Sequence, residues 1–178
     1  MIELDQKFHP TDFKELDKEF SRKHEKFLSQ EKCLIKKYFG EGIGLATALK
    51  KLSEEKLITD AKDFQGIYVF STNDTPFYVG ISQHVIERIG QHVKGKNHFS
   101  SSFCYRLGAN VYLKEHGVCH EGGRKGLDFL KYVEPTKIQL MNCEVAFYEV
   151  EDCLELYLFE VYLAMELGTL YYNTFKTH

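Results

Sequence analysis

An α/β fold of the α+β kind is what this sequence predicts: three short strands among helices, preceded by an N-terminal helical appendage. Three observations predict it. Gly66-Ile67-Tyr68-Val69-Phe70 and Phe77-Tyr78-Val79-Gly80-Ile81 are β-branched and aromatic runs separated by the polar Asn73-Asp74-Thr75-Pro76, which reads as a hairpin with its turn. Glu144-Val145-Ala146-Phe147-Tyr148-Glu149-Val150 alternates like a third strand. The segments around them carry apolar residues at helical intervals.

From the N-terminus, Phe13, Leu16, Phe20, Phe27, Leu28, Leu34, Ile35 and Tyr38 recur among charges, as in one long or two broken amphipathic helices. Gly40-Glu41-Gly42-Ile43-Gly44 breaks the pattern; it lacks a preceding strand and a Lys-Ser/Thr ending, so it is a turn rather than a phosphate loop. Leu45, Leu49, Leu52 and Leu57 mark a second helix ending near Thr59-Asp60. Residues 1–62 therefore read as a helical extension and 63–178 as the main domain. In the hairpin, Ile67, Val69, Val79 and Ile81 should face one way, and Tyr68 and Tyr78 the other. An aromatic pair of this kind commonly just stabilises a sheet.

Ser82 can cap the next helix, whose stripe is Val85, Ile86, Ile89 and Val93, with Arg88 and His92 four apart on one face. Gly95-Lys96-Asn97-His98 reads as a loop and Ser100 to about Lys114 as a helix. Residues 115–142 read as an insertion without a clear pattern. Asp152 and Glu155, at capping-box spacing, open a last helix that stops at Gly168. Glu160 projects from its apolar face beside Leu156, Tyr157, Leu163 and Ala164, where a carboxylate needs a basic partner, a metal or several donors.

Composition narrows the function classes. The 178 residues suit one domain and an appendage. No apolar run approaches membrane-spanning length, and Met1-Ile2-Glu3-Leu4-Asp5 shows no export pattern, so a cytoplasmic protein is expected. Five cysteines without a Cys-x-x-Cys pair argue for a reducing compartment. His116, Cys119 and His120 would meet on a helix, but no second pair of metal ligands accompanies them. The formal net charge of −3 hides asymmetry: residues 84–131 hold eight Lys or Arg against four acids, and residues 132–178 two against eight. The basic middle permits phosphate binding.

Gly66-Ile67-Tyr68, Tyr78-Val79-Gly80, Arg88, His92, His98, Glu160 and Asn173 stand in the order found in the GIY-YIG nuclease family, which this sequence resembles over about residues 64–176. The segment Leu158 to Leu167 resembles the catalytic-glutamate helix of its intron-homing members, where an aromatic follows the glutamate by two positions, as Tyr162 does. The chain departs from the pattern in reading Tyr-Val-Gly rather than Tyr-Ile-Gly, and in carrying Ile81 where repair members carry lysine. The spacer between Arg88 and Glu160 is also long.

The resemblance implies a small three-stranded antiparallel sheet flanked by helices and a one-metal endonuclease acting on DNA, with RNA not excluded. It implies Glu160 as sole protein ligand of Mg²⁺ or Mn²⁺, Arg88 on phosphate oxygens, and Tyr68 as general base. It also implies Tyr78 as positioner, His92 and His98 as proton relays, and Asn173 as a hydrogen-bonding brace. One catalytic set per chain implies a homodimer or sequential nicks for double-strand cleavage. The competing expectation is a catalytically silent nucleic-acid-binding or protein-interaction module on the same scaffold.

Overall fold

In a computed structural model, which describes residues 13–173 and 175, four strands form one antiparallel sheet. They are β1 (Cys33–Leu34), β2 (Gly66–Thr72), β3 (Thr75–Ser82) and β4 (Glu144–Glu149), in the order β1-β4-β2-β3. The expected hairpin and third strand are present, and β1 adds a short fourth at the edge of β4. The two-residue turn is tighter than expected. Asn73 and Asp74 both take positive φ, 47° and 61°, the geometry that matches the twist of a two-residue hairpin. Thr75 and Pro76 therefore belong to β3. Pro76 pairs with Ser71 and Tyr78 with Phe70, leaving Phe77 as the extra residue of a bulge. Proline is tolerated there because β3 is an edge strand.

Helices cover both faces. Strand alternation places Ile67, Val69, Val79 and Ala146 on one face, under Phe20 and Phe27 of α1 (Phe13–Leu28) and Leu156, Phe159, Leu163 and Ala164 of α7 (Cys153–Glu166). Tyr68, Phe70, Val145 and Phe147 point to the other face. There they meet α2 (Ile35–Phe39), α3 (Leu45–Glu54), α4 (Val85–Lys94), α5 (Ser102–His116) and α6 (Glu134–Met141).

The N-terminal segment differs from the expected run of helix. The chain leaves helix after Leu28, and Cys33-Leu34 pairs with Val145 and Glu144. Ile35, Tyr38, Phe39, Ala48 and Leu52 are then buried in the same core as Phe70, Ile86 and Ile89, so residues 33–58 pack as part of the main body. The start of the expected extension, residues 1–12, and the leader reading made on it lie outside the described residues, as do the last residues of the expected domain.

Residues 115–142 also acquire structure. After α5 ends at Gly117, in the left-handed region at φ 73°, a 3₁₀ turn (Gly123–Gly126) and one π-helical turn (Phe129–Val133) lead into α6. Leu127, Tyr132, Val133, Thr136 and Leu140 are buried, so the expected insertion is a packed layer. A Cβ on Gly108 would stand 2.6 Å from the Tyr132 carbonyl oxygen, so this glycine lets α5 approach the π-helical turn.

The last helix closes as expected. Asp152 accepts from the Glu155 N–H at 2.8 Å. The Gly168 and Thr169 N–H groups bond back to Met165 and Ala164, with Gly168 at φ 65°. Among the described residues no helix is long and apolar enough to cross a membrane.

Candidate active site

Both glycines of the hairpin motifs have steric reasons. A Cβ on Gly66 would lie 2.2 Å from the Tyr148 carbonyl oxygen, and one on Gly80 only 2.4 Å from Cζ of Tyr68. Tyr68 pairs with Gly80 across the ladder, and its ring lies over the space that the missing side chain leaves. Tyr78 shares that face as expected, with ring centroids 6.2 Å apart, and stacks on Phe103 of α5 at 4.1 Å.

The α4 stripe packs as predicted, with Val85, Ile86, Ile89 and Val93 all buried. Its N-terminus is not capped by Ser82, whose Oγ accepts from the His84 N–H instead. The Asp63 carboxylate accepts from the Ile86 and Glu87 N–H groups, both at 2.8 Å, and the Phe64 carbonyl accepts from Val85. This cap from before β2 fixes the helix that carries Arg88 and His92.

His92 is fully buried, with Nε2 2.8 Å from the Tyr68 hydroxyl and Nδ1 without a partner among the described residues. Burial, aided by Arg88 and Arg106, pushes the imidazole pKa well below its ordinary value, so His92 is neutral at pH 7. With a neutral ring, Nε2 accepts the phenol proton when Nδ1 carries the ring hydrogen. Burial pushes the Tyr68 hydroxyl well above its ordinary pKa; the neighbouring Tyr78 raises it further, while Arg88 opposes the rise. The Arg88 guanidinium is aimed by Gln91 Oε1 at 3.0 Å, the Ser100 carbonyl at 3.4 Å and Ser102 Oγ at 2.6 Å.

Glu160 stands on α7, across the sheet from the tyrosine rings. It nevertheless acts on Tyr78, whose pKa is raised by burial and by the Glu160 carboxylate and lowered by Arg106. Glu160 makes no hydrogen bond or ion pair among the described residues. Desolvation raises its pKa to about 7 against the pull of Arg106. A half-buried carboxylate in this state is suited to a cation. No group of three or more His, Cys, Asp or Glu that could hold a metal occurs among the described residues. A lone carboxylate could hold only an ion whose remaining ligands are water, a coordination that Mg²⁺ accepts.

Asn173 is buried against the outer edge of β3. Its Oδ1 accepts from the Val79 N–H at 3.0 Å and from Thr169 Oγ1 at 3.0 Å, and its Nδ2 donates to the Val79 carbonyl at 2.7 Å. One side chain so replaces the next strand and ties the chain after α7 to the residue following Tyr78.

His98 is placed elsewhere. Its Nε2 bonds the Leu127 carbonyl at 2.8 Å, and its ring packs edge-on to Phe129 and Tyr105, so it belongs to the layer beyond α5 rather than to the tyrosine cluster. His116, Cys119 and His120 do not come together as metal ligands. His116 stacks on Tyr112 at 4.1 Å, His120 bonds the Tyr105 hydroxyl at 3.0 Å, and Cys119 is exposed.

Arg106 is the residue that sequence reasoning missed. Its guanidinium lies 5.2 Å from the Tyr78 ring centroid, and it donates to the Tyr172 carbonyl at 3.1 Å. It is the sole charge between Lys96 and Lys114, a signal that a helix face of special environment could have supplied.

Residues 64–138 match the family model of the GIY-YIG catalytic domain. The matched segment contains the hairpin, Arg88, His92 and Arg106, and stops before Glu160 and Asn173. No curated protein and no solved structure matches the chain.

Proposed function

We propose that this chain, which carries a GIY-YIG catalytic domain over residues 64–138, is a divalent-cation-dependent endonuclease hydrolysing phosphodiester bonds of DNA. The observation that supports this reading is the gathering of Tyr68, Tyr78, His92 and Arg106 around the hairpin, with Arg88 on the same helix as His92 and with a half-buried Glu160 on α7 whose charge reaches Tyr78 and Arg106.

Hydrolysis requires an activated water and stabilisation of charge on the phosphate and on the leaving oxygen. Glu160 would hold the cation, Mg²⁺ or Mn²⁺, which supplies Lewis-acid stabilisation of the phosphate when bound. Arg88, held in a fixed fork by Gln91 and Ser102, binds non-bridging oxygens, a geometry lysine lacks. Arg106 adds a second positive charge against the Tyr78 ring.

Tyr68 is the general base. A phenol whose pKa is raised cannot act as a standing phenolate; it must lose its proton as it gains one from water. His92 Nε2, neutral and 2.8 Å away, takes the phenol proton in that exchange. Tyr78 orients the attacking water through its hydroxyl, and Asn173 holds the β3 backbone on which Tyr78 sits. His98 receives no catalytic step.

Nicking of supercoiled plasmid in Mg²⁺ or Mn²⁺ tests the reading. Wild-type protein should nick, EDTA should abolish nicking, and Glu160→Gln should lower the rate at least about a hundredfold, as loss of a charge-stabilising group does. Equal rates in both proteins would remove Glu160 from the mechanism. No cleavage of any DNA or RNA would leave the silent binding module as the function.

A further inference from the structure

In the layer beyond α5, joined to Arg88 through the Ser100 carbonyl, lies an aromatic and basic array that the proposed chemistry does not use. Phe99 is 55 % exposed, although its loop is built firmly. Asn97 Oδ1 accepts from the Phe99 and Ser100 N–H groups, both at 3.0 Å. A Cβ on Gly95 would lie 2.4 Å from Ser100 Oγ and 2.5 Å from Ser101 Oγ, so the loop closes on a residue without a side chain. The backbone that carries the ring is thus fixed, and more than half of the residue's surface stays open.

Arg124, from the 3₁₀ turn, lies with its guanidinium 5.6 Å from the Phe99 centroid and 5.3 Å from that of Tyr105. Phe99, Arg124 and Tyr105 so form a layered array, anchored below by the bond from Tyr105 to His120. Lys96 and Lys125 adjoin it in sequence and are exposed. The array is also tied to the site. The carbonyl of Ser100, the residue after Phe99, is one of the acceptors that aim Arg88.

We infer that Phe99 and Arg124 form a stacking platform for an unpaired base of the DNA substrate, set beside the phosphate held by Arg88. The inference rests on the nuclease reading for that phosphate. An exposed ring on a fixed loop, backed by a guanidinium and flanked by lysines, offers a π face and positive charge together, the combination that holds single-stranded nucleic acid without reading its sequence. An apolar protein partner would bury the ring but would leave Arg124, Lys96 and Lys125 without counter-charges. A base within an intact duplex has both faces covered by its neighbours, so it cannot occupy the platform. The substrate class is accordingly DNA with an unpaired nucleotide at the cut: a flap, a gap, a single strand, or the bubble that negative supercoiling opens in a plasmid.

Binding in EDTA, where no strand is cut, tests the platform apart from hydrolysis. The probes are a single-stranded oligonucleotide and a gapped duplex carrying 2-aminopurine at the unpaired position, with an intact duplex of the same length as reference. Wild-type protein should quench the 2-aminopurine by stacking. Phe99→Ala should abolish the quench and weaken binding of both unpaired probes about tenfold, the usual effect of removing one stacking partner. Affinity for the duplex should change less than twofold. Phe99→Tyr should restore quench and affinity, whereas Phe99→Leu, equally apolar, should not.

Retention of the quench in Phe99→Ala, an equal loss on duplex and unpaired probes, or no DNA binding by the wild-type protein overturns the proposal. A wild-type protein that binds and quenches but nicks nothing sinks the nuclease reading and leaves the platform standing.

Discussion

Gly80 is where a single atom decides the geometry of the proposed base. An alanine there would press its Cβ into the Tyr68 ring, which is closed in on its other sides and only 1 % exposed. Overpacking of this kind costs about 1–3 kcal/mol. A shift of about 1 Å in a reacting group can cost ~10²-fold in rate. Gly80→Ala should therefore lower kcat on plasmid about a hundredfold while the protein still unfolds cooperatively; an unchanged kcat would take Tyr68 out of the reaction. His92 gives a pH signature at the same scale. Its folded pKa is depressed below the ordinary 6.5, so the folded protein binds fewer protons than the unfolded chain below that pH. The stability this group contributes is present above pH 6.5 and lost as pH falls. Glu160 acts oppositely in the cation-free protein: its pKa, raised to about 7, makes stability fall as pH rises from the carboxylate range to 7. Urea midpoints at pH 5 and 7 should show a drop towards acid in Glu160→Gln, where the His92 contribution is no longer opposed by Glu160. The drop should flatten in Glu160→Gln/His92→Gln. A slope that survives removal of His92 would mean that another group titrates there.

At the scale of elements, α4 shows what was legible in the sequence and what was not. Its stripe could be read because Val85, Ile86, Ile89 and Val93 repeat at helical spacing, and all four are buried. Its cap could not, because Asp63 stands more than twenty residues before the N–H groups it binds and no local pattern links them. Asp63→Ala should lower stability by about 1–2 kcal/mol, the cost of losing a helix cap. It should also lower kcat through the loosened first turn below Arg88. Asp63→Asn, which keeps one acceptor oxygen, should recover part of both. Equal urea midpoints for wild type and Asp63→Ala would show the cap to be idle. The same division holds elsewhere. The α7 ends were readable from Asp152 and Gly168, whose effects are local. The π-helical turn at Phe129–Val133 and the strand at Cys33–Leu34 were not, since each owes its form to a distant partner: Gly108 on α5 for the first, β4 for the second. His98 was misplaced for that reason too, its ring being claimed by the Leu127 carbonyl and Phe129.

For the molecule as a whole, the two faces of the sheet make opposite demands on the N-terminal segment. On one face α1 supplies Phe20 and Phe27 to a core whose other members come from β2, β3, β4, Val150 and α7. On the other, residues 33–58 supply β1 and seven buried apolar side chains, among them Tyr38, Phe39 and Leu52, to the core that contains Tyr68. Removing α1 uncovers part of one layer, on the side away from the tyrosine rings. Removing residues 1–62 strips the second core, and a buried Leu, Ile or Phe lost from such a core costs about 2–5 kcal/mol. Several such losses exceed the ~5–15 kcal/mol that holds a domain of this size. A chain starting at residue 63 should therefore show no cooperative urea transition and no nicking activity, although the family match begins at residue 64. A chain starting at residue 31 should unfold cooperatively at a lower midpoint and retain cleavage. Cooperative unfolding of residues 63–178 alone would instead mark them as an autonomous domain, with the N-terminal helices an appendage after all.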